Sequence, residues 1–231
     1  MTRRKTTVPF AWALAAPLLL LAWEPAGGQQ PPMRTVSLPA PRHQGPVSLD
    51  SALWARRSTR EFSDRTISLA DASQLLWAAQ GVNRPDGHRT APSAGATYAL
   101  ELYLLAARVD GLEPGMYRYR PATHDLVTTG VTVRLADLPA VAARQEWITG
   151  AAALVAFAAA YERTAGRYGE RAERYVPMEV GHAAQNLYLE AAALGLGTTF
   201  VGAFGDSALA RVLALPPEQR PLGLMPVGHP R

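Results

Sequence analysis

Apolar residues recur at helical spacing over Ser48 to Arg57, where Leu49, Leu53 and Trp54 share a face, and again from Leu69 to Gln80. Ser68 is placed to cap the second run and Gly81 to close it, so two amphipathic core helices are predicted there. A polar loop from Val82 to Thr97 follows, with Pro85, Asp86, Gly87, Pro92 and Gly95. Tyr98 to Val109 then reads as a strand, Gly111 to Gly115 as a turn and Met116 to Arg120 as a returning strand. Val127 to Arg134 is a further strand candidate, and Leu138 to Arg144 a short helix. The apolar run Ala151 to Ala160 has the length of a strand, while its alanine content leaves helix open. Tyr175 to Leu194 is the clearest long helix. Thr198 to Phe204, Ser207 to Leu213 and Leu222 to Val227 complete the chain as strand, helix, strand. Hairpins mixed with crossovers predict an α+β fold rather than a regular doubly wound sheet.

The N-terminus is different in kind. Arg3, Arg4 and Lys5 precede an apolar run from Phe10 to Trp23, and small residues follow at Ala26, Gly27 and Gly28. That is the pattern of a secretory signal peptide over residues 1–28, with export to the periplasm or the outside as its consequence. The run is shorter than a bilayer span, is interrupted by Pro17 and meets Glu24, so no stable membrane span is expected once the leader is cleaved. Residues 29–46 are proline-rich and lack hydrophobic periodicity, which makes them a linker or extended arm, and the folded domain is expected over 47–231.

The composition, 48% hydrophobic and 18% charged over 231 residues, suits one globular domain. Losing the leader removes three basic groups and one acidic group and takes the net charge from +4 to +2. No nucleic-acid partner is expected of such a surface. The chain has no cysteine, which excludes disulfides, thiolate metal sites and cysteine nucleophiles. Lys5 is its one lysine, so a mature chain offers no lysine for Schiff-base or acid–base chemistry.

Three segments remain that could carry chemistry. Arg56-Arg57-Ser58-Thr59-Arg60-Glu61-Phe62 puts three guanidinium groups and two hydroxyls at a helix end. Forked arginine donors with a short hydroxyl can clamp a phosphate; a solvated basic helix end is the alternative. Pro92-Ser93-Ala94-Gly95-Ala96 enters a strand through small residues, so its backbone amides can approach a flat ligand, with the serine hydroxyl adding a directional contact; a plain connecting loop is the alternative. The loop from Gly195 to Phe204 follows a helix and precedes a strand, the reverse of the dinucleotide-binding order. Its amides could serve a flavin. Glu179 and His182, three apart on one helix face, make at most two metal ligands and read as buried polar groups between helices. No metal is expected.

In this order and spacing the three segments resemble the nitroreductase-like FMN-dependent family, over about Leu49 to Pro230. The resemblance implies that Arg56, Arg57, Ser58 and Arg60 hold the FMN phosphate, that Pro92, Ser93, Ala94, Gly95 and Ala96 lie against the flavin, and that Gly202 and Ala203 form the turn beside it. It implies a nitroreductase fold, a mixed and mostly antiparallel sheet flanked by helices, in an intertwined homodimer whose two flavin sites draw on both chains. Pro92 to Tyr98, Gly181 to Leu187 and Arg167-Tyr168-Gly169-Glu170-Arg171 are most similar to the SagB/ThcOx-type dehydrogenase branch, some of whose members oxidise peptide azolines with FMN. Where such members carry a Lys-Tyr pair this chain has Arg167-Tyr168. Arginine stays protonated and cannot act as a base, so Tyr168 is the better acid–base candidate of that pair. The expected function is hydride transfer between FMN and a small-molecule or peptide substrate. An NAD(P)H-dependent nitro or quinone reductase, or a dimeric scaffold without turnover, stands as the alternative. Many relatives continue to a basic residue that touches the phosphate, and Arg231 is the residue here that could substitute.

Overall fold

Ser48 and Ser68 each stand in extended backbone with a side-chain oxygen turned back onto the amide three residues on. In the computed structural model, which describes residues 33–231, these caps start two of the five helices. The described chain runs through β1 (Thr35–Ser37), α1 (Leu49–Ala55), β2 (Ile67–Ser68), α2 (Leu69–Gln80), β3 (Leu100–Ala106), β4 (Val109–Asp110) and β5 (Gly115–Arg120). It continues as β6 (Asp125–Thr128), β7 (Ala153–Ala160), α3 (Tyr161–Tyr168), α4 (Ala172–Ala193), β8 (Gly197–Thr198), α5 (Asp206–Val212) and β9 (Gln219–Gly228). The signal-peptide reading of residues 1–28 lies outside the described residues. No helix among the described residues is long and apolar enough to cross a membrane.

Seven strands form one sheet in the order β1-β6-β5-β3-β7-β9-β8 with every neighbour antiparallel, and β2 and β4 make a small parallel pair. The ambiguous run at 151–160 is the central strand β7, buried throughout. Its odd-numbered positions, Val155 and Phe157 among them, join a core with Leu75 and Leu76 of α2 and Leu187 of α4. Leu154, Ala156 and Ala158 join the opposite core with Leu138, Ile148 and Leu209. A strand covered on both faces shows no polar alternation, which is why its pattern alone did not separate strand from helix.

Other boundaries moved for local reasons. β3 begins at Leu100 because Tyr98 has φ +48, a left-handed conformation that no strand accepts. The strand expected at 127–134 stops at Thr128, before Gly130 at φ +72. The helix expected at 138–144 is a set of turns, since Ala143 and Arg144 both have positive φ. Within the expected 29–46 arm, the described stretch 35–39 is docked: β1 pairs with β6, Leu38 enters the core, and Pro39 O accepts the Ser73 hydroxyl at 2.7 Å.

Candidate functional site

α1 ends where Arg56 leaves helical backbone, φ −58 and ψ 126. The chain then runs extended beside β8 and the C-terminus. Ser58 bridges Thr198, Thr59 N–H donates to Thr198 O at 2.9 Å, Ser63 N–H to His229 O at 2.9 Å, and Arg231 N–H to Glu61 O at 3.2 Å. Tyr188, from α4, fixes the corner: its phenol oxygen accepts Phe200 N–H at 2.6 Å and lies 3.4 Å from Ser58 Oγ and 3.3 Å from Thr199 Oγ1. Burial pushes this phenol up, but the Ser58, Thr199 and Phe200 hydrogen bonds and the Arg56 charge outweigh it and leave it below its ordinary value.

Arg56 stacks over the Tyr188 ring at 5.3 Å and Arg60 over Trp147 at 5.7 Å. Among the described residues neither they nor Arg57 meets a carboxylate within ion-pair distance. Arg56, Arg57, Thr59, Tyr188, Thr198 and Pro230 line a pocket of about 160 Å3. Thr198 Oγ1 is buried there without a hydrogen-bond partner. Gly202 and Ala203 lie exposed just beyond Val201, and Gln145 Nε2 holds the turn through Ala203 O at 3.3 Å.

The Pro92–Ala96 loop sits against a different stretch of α4. Glu179, buried, accepts the Ser93 hydroxyl at 2.7 Å, and Ser93 Oγ accepts Tyr98 N–H at 2.9 Å. Arg167 and Tyr168 lie directly on this loop. Arg167 Nη1 donates to Gly95 O at 3.2 Å, and a side chain at Gly95 would meet Tyr168 Oη at 2.6 Å. Gly95, Ala96 and Tyr98 all have positive φ, at +58, +53 and +48, and two of these are not glycine. Strain of this kind gathers at functional sites. Tyr168 is half-buried and packs edge-on against Tyr175 at 5.3 Å between centroids.

The sequence-predicted residues thus fall into two clusters on one chain. Arg56, Arg57 and Ser58 gather near Tyr188, with Arg60 on Trp147 and the Gly202–Ala203 turn tied to Gln145. Pro92, Ser93, Ala94, Gly95, Ala96, Arg167 and Tyr168 gather near Glu179. Glu179 and Tyr188 are nine positions apart on α4, about 14 Å of rise. The Ser93 hydroxyl is already committed to Glu179, so any ligand on this loop meets its backbone and methyl groups first. His182 is exposed and does not join Glu179 in a helix-helix contact. Tyr188, Thr198 and Trp147 were not singled out by the sequence reading. Their roles come from contacts across the fold, which no local pattern marks.

Burial raises the Glu179 carboxyl above its ordinary value, against the opposing Ser93 hydrogen bond. Just above the ordinary carboxylate range the folded chain then keeps a proton that the unfolded chain has lost, so stability falls as pH rises through that window. Glu179→Gln has no such proton. Its melting temperature is expected to stay level where the wild type declines, and parallel melting profiles would contradict this account of Glu179.

The nitroreductase family model matches residues 53–229. A nitroreductase-type protein of Methanocaldococcus jannaschii is 44% identical over 183 residues, 79% of this chain and 91% of the relative. This chain belongs to the nitroreductase family. A solved nitroreductase-type structure from Ralstonia eutropha is 33% identical, covers 90% of this chain and 93% of that one, and superposes with a TM-score of 0.75. Another, from Anabaena variabilis, is 28% identical with a TM-score of 0.76, over 87% of this chain and 42% of its own. The antiparallel sheet flanked by helices is the fold of these family members, and an oxidoreductase activity goes with membership.

Proposed function

We propose that this nitroreductase-family chain is an FMN-dependent oxidoreductase, its flavin phosphate held at the end of α1. The observation that carries this reading is the pair of guanidinium groups, Arg56 and Arg57, that line a pocket with the unpartnered Thr198 Oγ1 and have no carboxylate partner among the described residues. A phosphate satisfies both, giving the arginines an anion and the threonine hydroxyl an acceptor. The residues present therefore fit the group. Bound FMN supplies the hydride acceptor and donor of the reaction.

The chain's own residues would divide the remaining work. Arg57 and Ser58 bind the phosphate, Arg56 and Arg60 are pre-oriented by their aromatic partners, and the exposed turn at Gly202 and Ala203 offers amide donors to the ring edge. Arg167 remains a cation and orients through Gly95 O. Tyr168 is the group on that loop able to take or give a proton, at Oη.

Two clusters about 14 Å apart along α4 suit a site completed by a second copy. Leu49, Leu53 and Trp54 on α1 and Met178 on α4 are large apolar side chains left exposed, Trp54 at 93%. An exposed apolar face such as that of α1 suits a partner, and the reading is a homodimer. Trp54→Glu is expected to sediment as a monomer and to lose bound flavin with it; a flavin-loaded dimer would contradict that assignment.

Two electron donors suit the site. With the Arg3 to Gly28 pattern taken as an export signal, NAD(P)H is out of reach, and a SagB-type dehydrogenation of a small molecule or peptide, discharging to oxygen or a quinone, fits better. The 44% identical relative is named a nitroreductase, which favours reduction of a nitro compound instead, with NAD(P)H as the donor in this second reading. Anaerobic mixing with NADH or NADPH decides: unbleached flavin supports the dehydrogenase, and bleaching followed by re-oxidation with a nitroarene or quinone supports the reductase.

A further inference from the structure

β3 pairs with β7 from Leu100 to Ala106, but with β5 only from Tyr103 to Ala106. β5 runs on to Arg120, held there by β6. The sheet therefore splits between Leu100–Leu102 on one side and Tyr119–Arg120 on the other. The split opens into a pocket of about 260 Å3, and it shares no lining residue with the pocket beside Arg57.

Four arginines enter this pocket: Arg89, Arg118, Arg120 and Arg163. Arg118 and Arg163 share the single buried carboxylate of Glu101, at 2.9 and 2.5 Å. Arg120 grips Asp125 with both prongs, at 2.6 and 2.7 Å. Arg89 has no carboxylate within ion-pair distance among the described residues. It lies over the Tyr98 ring at 4.5 Å and donates through Nη1 to Gln80 Oε1 at 2.9 Å. Burial lowers its affinity for its proton, as expected for a cation taken from water without a full counter-charge.

Gln80 sits behind it, fully buried. Its oxygen is committed to Arg89 and its Nε2 has no partner. A buried amide donor without an acceptor is rare and costly. One water could take the amide hydrogen, but it would leave Arg89 without a carboxylate within ion-pair distance among the described residues. Leu100, Leu102, Tyr119, Pro121 and Ala122 add apolar wall, and the volume is several times the ~30 Å3 share of one water. An inorganic ion would leave most of that wall unused.

We propose that the split between β3 and β5 is a binding site for a small organic carboxylate. Its oxygens accept from Gln80 Nε2 and from the Arg89 guanidinium, and its carbon body lies along the apolar wall. The planar two-oxygen head matches the fork of Arg89 better than a point charge would. Arg89 N–H also donates to Tyr98 Oη at 3.1 Å, and Arg163 Nη1 to Tyr98 O at 3.0 Å. The occupant therefore sits one residue layer from the Ser93 loop.

The test titrates the full chain, in the flavin state in which it purifies, with acetate, succinate and benzoate by calorimetry, using benzamide and inorganic phosphate as controls. At least one carboxylate is expected to saturate a single site and to bind at least tenfold more tightly than benzamide or phosphate. Gln80→Glu keeps the size of the side chain and ties a carboxylate beside Arg89. It is expected to stay folded by circular dichroism and to lose carboxylate binding, and Gln80→Leu to weaken binding at least tenfold. Failure of all three carboxylates to bind, equal binding of benzamide or phosphate, or an unchanged Kd in folded Gln80→Glu would overturn the proposal. If Gln80→Glu does not fold, the Gln80→Leu affinity decides.

Discussion

Arg57→Ala is expected to bind FMN between tenfold and about a hundredfold more weakly than the wild-type chain. A hydrogen bond to a charged group contributes about 1.5–3 kcal/mol, and each 1.4 kcal/mol is a factor of ten in affinity. Arg57 is the informative choice of the three arginines. Arg56 and Arg60 also stack on Tyr188 and Trp147, so removing either disturbs packing, whereas the Arg57 side chain is exposed and its loss should change stability by no more than about 0.5 kcal/mol. Riboflavin, which lacks the phosphate, is expected to bind wild type and variant alike. Fluorescence titration with both flavins checks this. Equal weakening for riboflavin would mean that Arg57 acts on the ring or on the fold, not on the phosphate.

Gly197→Ala is expected to damage fold and flavin site together. Gly197 is buried opposite Gly228, and a Cβ there would stand 2.5 Å from Thr59 Cγ2 and 2.7 Å from Thr59 Cβ. The second atom is fixed to the backbone, so the chain at Thr59 has to move and its hydrogen bond to Thr198 O weakens. Overpacking of this kind costs about 1–3 kcal/mol. Because Thr59 lies between Ser58 and Arg60, FMN affinity should fall as well. Thr59→Gly opens the space and should recover most of both losses in the double variant. Additive losses, measured by denaturant unfolding and flavin titration, would show that the contact with Thr59 is not the cause.

Much of this was legible in the chain itself. α2 has the bounds its caps predict, Ser68 and Gly81, because capping is a local event. The Arg56 to Arg60 segment announced its chemistry through residue types alone. What the pattern could not supply was anything set by distant partners. β7 shows no alternation because both its faces are covered. Tyr188 is an ordinary helix residue until the chain past β8 brings Phe200 N–H to its oxygen. Ser93 suggested a ligand contact, yet Glu179, 86 residues on, takes its hydroxyl. Left-handed backbone at Tyr98 and Ala143 moved two boundaries, at residues whose types give no such warning.

The oxidoreductase activity proposed for this chain depends on its holding FMN. The absorbance spectrum of the purified full chain, with any released cofactor identified by mass, tests it most directly. A flavin spectrum is expected, with FMN as the released compound, near one per chain. A colourless protein that still shows no flavin spectrum after incubation with excess FMN would contradict it, and the chain would then be a family member that keeps the fold without the cofactor.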